Sequence, residues 1–354
     1  MATRRAILAG LAGAALAPGA GWASAGAPAF LAAAKRADGA YRLVGLDAAG
    51  GVAFDLPLPE RGHAAAAHPS RPEAVAFARR PGTFALVIDC ATGREAARLE
   101  SPEGRHFYGH GAFSADGALL WAAENDYEAA RGVIGVRDAA RGYERIGEFP
   151  THGVGPHDVK LMPDGALVVA NGGIETHPAS GRAKLNLPTM RPNLAFLGQD
   201  GALLDLVELE PDLHLASIRH LALREDGLVA FAMQWEGDET EAPALLGLVR
   251  RGEAPRLLEA PEPYAWRMRG YAGSVAFSGD GARIAITGPR GGLALVFDAE
   301  TGGFLHAVEA ADICGAAPAG AGLLFTTGDG RILGESRSLA AAALAFDNHL
   351  VPVV

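Results

Sequence analysis

One unit recurs along this chain and limits what it can fold into: an apolar strand, a turn ending in Asp-Gly, and a second β-rich strand. It reads HGAFSADGALLWAAEN, HDVKLMPDGALVVANGG, RHLALREDGLVAFAMQ and SVAFSGDGARIAITGPRGG, with Asp-Gly pairs beginning at Asp116, Asp164, Asp226 and Asp280. A fifth copy, GHAAAAHPSRPEAVAFARR, carries a Pro/Ser turn instead. Asp-Gly between alternating stretches is a strong hairpin signal, because both residues tolerate positive φ. Helical periodicity is almost absent. A period of about 45–50 residues without helices reads as the blades of a β-propeller, and the chain after residue 25 holds about seven of them. The expected fold is therefore all-β: a seven-bladed β-propeller of four-stranded antiparallel blades, at about 26–60, 61–105, 106–151, 152–212, 213–264, 265–310 and 311–354. The terminal strands, around Phe30–Lys35 and Leu344–Val354, are expected to share a blade and close the ring, which removes sheet edges.

The first 25 residues read differently. Thr3-Arg4-Arg5 precedes an apolar stretch from Ala6 to Ala17, and Ala23-Ser24-Ala25 supplies a small-x-small end. Paired arginines before a mild apolar region are the pattern of a twin-arginine export signal, with cleavage expected after Ala25 and a periplasmic destination. The apolar stretch is too short to span a bilayer, and no later segment approaches that length. The remainder is expected to be one domain, 26–354.

With 49% hydrophobic and 20% charged residues, the chain can bury a large core. With 47 glycines and 7% aromatics, that core is expected to rest on small and β-branched residues. A net charge of −10 argues against nucleic-acid binding, which needs a basic face. Cys90 and Cys314 fall in non-adjacent blades and read as two buried free thiols.

In a propeller the first strand of each blade lines the channel. Its start and the end of the second strand lie on the same face. The first-strand starts hold Arg61 and His63, Tyr108 and His110, His157, and Arg219 with His220. The second-strand ends hold Arg79, then Glu124-Asn125-Asp126, Asn171 through Glu175 and His177, Gln234 and Arg290. The opposite ends carry plain turn residues, so one rim is chemically loaded. His63, His110, His157 and His220 occupy near-equivalent positions in four consecutive blades. Imidazoles so placed can converge as metal ligands; alternatively, each ties its blade together by hydrogen bonding. With Glu124, Asp126, His177 and Tyr108 the expected donors suit iron, copper or zinc. Arg61, Arg79, Arg219 and Arg290 can hold ligand carboxylates, or pair with the rim's own acids. Asn125, Asn171, Glu175, His220 and Gln234 complete the expected ligand-binding set. The insertion from Glu175 to Asn193 reads either as a lid over the channel mouth or as a surface flap. No nucleophile elbow, Walker loop or dinucleotide glycine pattern is present.

The rim segments RGHAAAAHP (61–69), FARRPGTFALVID (77–89), FYGHGAFSADG (107–117), ENDYEAARGVIGV (124–136), THGVGPH (151–157), ANGGIETHP (170–178), LNLPTMRPNL (185–194), SIRHLA (217–222) and GPRGG (288–292) together resemble the bacterial family called domain of unknown function 1513. The resemblance implies an exported propeller of the YVTN/quinoprotein-like superfamily. It also implies a setting beside imelysin-type and dihaem-peroxidase-like periplasmic proteins, which looks like iron uptake. The leading expectation is a periplasmic protein that binds iron, another transition metal or a metal-bearing small ligand at the rim. A quinoprotein-like oxidoreductase or lactonase-type hydrolase using the same funnel is the second, and an interaction scaffold the third.

Overall fold

A computed structural model describes residues 21–353, apart from positions 80, 81, 182 and 239. The described residues form seven four-stranded antiparallel sheets arranged as a propeller. In six of them the strands follow chain order from the channel outward. The exception is blade one, whose inner strand is the C-terminal Leu344–Pro352, paired antiparallel with Phe30–Arg36. The two ends of the chain therefore close the ring, as expected. Blade two runs Gly62–Ala67, Glu73–Ala78, Phe84–Asp89 and Arg94–Glu100. The inner strands of blades three to seven are Arg105–Phe113, Pro156–Leu161, Ala216–Leu223, Ser274–Phe277 and Ile313–Ala319. The one α-helix among the described residues is Glu262–Arg267, and no helix is long and apolar enough to cross a membrane.

The recurring turns close as their residues dictate. In blade three Ser114 Oγ donates to Asp116 Oδ1 at 2.6 Å, the Ala118 N–H donates to the same oxygen at 3.0 Å, and Gly117 takes φ +73°. Ser278, Asp280 and Ala282 repeat the arrangement in blade six. The carboxylate thus replaces a backbone turn bond, and glycine carries the left-handed residue.

The core lies between blades, and most of its buried side chains are alanine, valine, isoleucine and leucine. Its largest fully buried side chains are aromatic: Trp121, Phe77, Phe107, Phe196, Phe231, Phe297 and Phe325. Glycines make room for them. A Cβ on Gly111 of blade three would stand 2.5 Å from Phe77 Cζ of blade two. Small and branched residues thus fill most of the core, as the composition suggested, and a few aromatics at the blade interfaces, seated over glycines, take the largest sites, which the composition did not suggest. Cys90 and Cys314 are free and buried.

Residues 3–17 of the signal-like segment lie outside the described residues. Its small-residue end forms a 3-10 turn, Trp22–Ala25, and the Trp22 indole N–H donates to the His68 carbonyl of blade two at 2.9 Å.

Candidate functional site: a buried cluster of five imidazoles

A β-strand sends successive side chains to opposite faces, so a side chain facing the channel need not be aimed at one point within it. The inner strands solve this with irregularities in register. In blade two, Gly62 pairs with Ala78 and Ala65 with Ala76, so His63 and Ala64 together oppose a single residue. The ladder slips likewise between Phe107 and Gly111, Pro156 and Asp158, and Ile218 and His220. In blade one it slips opposite Ala32 and Ala34, where Leu350 and Phe346 are the partners. Each slip contains or adjoins a histidine. Bulges of this kind re-aim side chains.

The result is a packed group of His63, His110, His157, His220 and His349, one from each of blades two to five and one from blade one. His349 stands 4.5, 4.6 and 4.7 Å (ring centroids) from His63, His110 and His220. His157 lies 4.7 Å from His220 and 5.2 Å from His110. His63, His110, His220 and His349 are buried, and His157 is partly exposed. Ring nitrogens of His63, His110 and His349 lie within 4.8 Å of one another, as do those of His110, His157 and His220. His110 belongs to both triads. In the remaining two sectors the inner strands carry buried Ser274 and Cys314.

Two carboxylates stand behind the cluster, each from the blade next to the imidazole it meets. Asp158 Oδ1 of blade four is 3.1 Å from His110 Nδ1 of blade three, and Asp347 Oδ1 of blade one is 3.6 Å from His63 Nδ1 of blade two. Both acids are buried. Burial alone raises a carboxyl pKa. At Asp158 the Lys160 ammonium and the His110 imidazole overcome it, and at Asp347 the nearby His63 ring and the Arg61 and Arg79 guanidiniums do; both stay ionised well below the usual carboxylate range. An Nδ1–H held by a carboxylate leaves Nε2 as a lone-pair donor aimed into the cluster. His110 Nε2 is buried with no hydrogen-bond partner in the structure. His63 Nε2 and His349 Nε2 face each other at 3.3 Å. That is close to the ~3.4 Å separating two nitrogens bound tetrahedrally to one zinc ion. Burial pushes the His63 imidazole down to about 4, and pushes His157, His220 and His349 well below the ordinary value, helped by their neighbours in the cluster. At neutral pH these rings are neutral, the form in which imidazole binds metal.

Above the cluster opens a funnel of about 680 Å³, with His63, His157 and His220 at its floor. The insertion after blade four's second strand supplies Thr176, His177 and Lys184 to its wall. Below the cluster a second cavity of about 620 Å³, lined by Asp158, His220 and His349, occupies the other half of the channel.

The structure brings together four of the histidines singled out from sequence and adds His349. It does not bring the other metal candidates to the same point. His177 sits at the funnel mouth, where its Nδ1 accepts the Ala179 N–H and its Nε2 faces Glu128 at 3.4 Å. Tyr108 is buried against the floor, 6.2 Å from His157, with its hydroxyl 3.3 Å from Thr176 Oγ1. Glu124 is held by Arg145 at 2.7 Å, and Asp126 by Arg131 at 2.9 Å, in an arginine network on blade three. Their register gives the reason: both pair into the blade's third strand, opposite Val133 and Arg131, and face that sheet's own arginines. Arg61 and Arg79 both pair with Asp347, and Arg219 pairs with Glu236. The Asn125 amide donates to the Thr176 carbonyl at 3.4 Å, and Asn171 bonds Thr151 and Asn193. The Glu175 backbone N–H donates to Asn186 Oδ1 at 2.7 Å. Gln234 and Arg290 line the funnel, the latter stacked on Tyr271.

Fold and site define a seven-bladed propeller whose channel is constricted by imidazoles. The chain belongs to the family described as "Protein of unknown function (DUF1513)", whose model matches residues 56–353. A solved chain of Kuenenia stuttgartiensis hydrazine synthase is similar over 81% of this chain and 86% of its own, with a TM-score of 0.61 and 14% identity, a likeness of fold. Comparison with curated proteins finds no match.

Proposed function

We propose that the protein binds a transition-metal ion at the five-imidazole cluster and presents it to the funnel. The observation that supports this most is the convergence of five imidazoles from five blades, two of them backed by carboxylates, with a buried ring nitrogen of His110 left unpaired. A cluster that served only to tie blades together would satisfy its own ring nitrogens. The donors in the cluster are nitrogen alone, which suits copper, zinc or ferrous iron. Iron is included as a divalent ion, and the arginine pair at residues 4 and 5, ahead of an apolar stretch, supports a site of action in the periplasm.

The test is elemental analysis of protein purified without chelator, then dialysed separately against each of the three ions. About one ion per chain is expected for at least one of them. The His110→Ala/His157→Ala variant, which breaks both triads, is expected to lose at least about 100-fold in affinity. Retention of the ion by a folded double variant would refute the reading.

A further inference from the structure

The funnel differs in charge from the molecule as a whole. The chain carries a net charge of −10. Yet the funnel is lined by Arg79, Lys184, Arg219, Arg269 and Arg290, with Glu236 the one carboxylate among its lining residues. Lys184 and Arg219 share Glu236, and Arg79 shares Asp347 with Arg61. Arg269 and Arg290 make no ion pair among the described residues. Arg290 is instead laid on the Tyr271 ring, 4.4 Å from its centre, and Asn348 fixes that ring by donating to the Tyr271 hydroxyl at 3.0 Å. A guanidinium stacked on a fixed ring keeps its N–H edge free and oriented for a planar oxyanion. A cleft lined by one sign of charge also concentrates the opposite ion against the field of the rest of the surface.

The cations belong to different sectors of the wall: Arg79 to blade two, Lys184 to the blade-four insertion, Arg219 to blade five, Arg269 and Arg290 to the approach to and edge of blade six. A single carboxylate cannot meet them all. The volume of about 680 Å³ exceeds what one oxyanion fills and falls in the range of small-molecule sites. The five-imidazole cluster itself supplies nitrogen donors alone. We infer that the funnel takes a small organic polycarboxylate, whose outer carboxylates meet Arg269 and Arg290 and whose inner one supplies oxygen to the metal held by the imidazoles. This rests on the metal reading above.

The experiment is calorimetric titration of the full chain, metal-free and zinc-loaded, with propane-1,2,3-tricarboxylate, its neutral triamide and inorganic phosphate. The expected result is one tricarboxylate per chain, bound at least about tenfold more tightly with zinc present, and no binding of the triamide. Arg269→Ala/Arg290→Ala should weaken the tricarboxylate at least about tenfold, and Arg98→Ala, a surface change elsewhere, should not. Zinc titrated alone reads the imidazole cluster independently. Absence of zinc binding defeats the metal reading, while the metal-free titration and its arginine dependence still report on the anion site. Equal affinity for the triamide, equal affinity for phosphate, indifference to the arginine pair, equal affinity with and without zinc, or no binding overturns the inference.

Discussion

Asp158 and Asp347 each stand behind an imidazole that belongs to the neighbouring blade, Asp158 at hydrogen-bond distance. Outer partners of this kind hold a ligand ring in one tautomer, and their loss typically costs about 10–100-fold in metal affinity. Asp158→Asn is therefore expected to weaken metal binding by about that factor in a competition titration; unchanged affinity would remove Asp158 from the site. The same burial that keeps the rings neutral sets a pH dependence. The His63 imidazole titrates near 4 when folded and near its ordinary 6.5 when unfolded. Between these values the unfolded chain binds the extra proton, so stability falls as pH is lowered through the window. His63 alone contributes a loss of about 2 kcal/mol by pH 5, and His157, His220 and His349 act in the same direction. The urea midpoint of metal-free protein should drop between pH 7.5 and 5. A constant or rising midpoint would contradict the buried neutral cluster. Of these residues the sequence exposed His63, His157 and His220, through their repeated place at the start of the hairpins, but hid the acids. Alternation puts His157 and Asp158 on opposite faces, and so it does; Asp158 serves His110 across the blade boundary, a pairing that strand periodicity cannot reveal.

At the scale of the strand, the hairpins were legible and the bulges were not. The Asp-Gly turns work through side-chain and backbone bonds, and the third and fourth strands fall within the expected blade bounds, as Phe84–Asp89 and Arg94–Glu100 do within 61–105. The register slips leave no such signature, because an extra residue in a strand looks like any other until its partner is known. His349 was missed for a related reason. Its strand starts no hairpin and completes a blade begun more than 300 residues earlier, so no turn marks its register. Gly109 is the most exacting position in these slips. It takes φ +99°, and a Cβ there would lie 2.5 Å from His63 Cδ2. Gly109→Ala is expected to cost about 1–3 kcal/mol in folding stability and to weaken metal binding by displacing His63, read by denaturant unfolding and by the same titration. A variant as stable and as tightly bound as the parent would show that the blade-three slip does not position the cluster.

Over the whole molecule, the propeller turns widely separated positions into one site: rings at residues 63 and 349 meet only because the C-terminal strand closes the first blade. The same closure carries Asp347 to the back of the His63 ring and Asn348 to the wall of the funnel. Net charge, a property of the full surface, gave no hint of the cationic funnel, whose arginines and lysine lie in separate segments that meet only around the channel. The most direct measurement is anomalous diffraction at the zinc absorption edge from crystals grown with zinc and without chelator. A peak is expected at the funnel floor, about 2.0–2.1 Å from ring nitrogens of at least three of His63, His110, His157, His220 and His349. A data set with zinc bound only elsewhere, and the five rings hydrogen-bonded to water, would contradict the account.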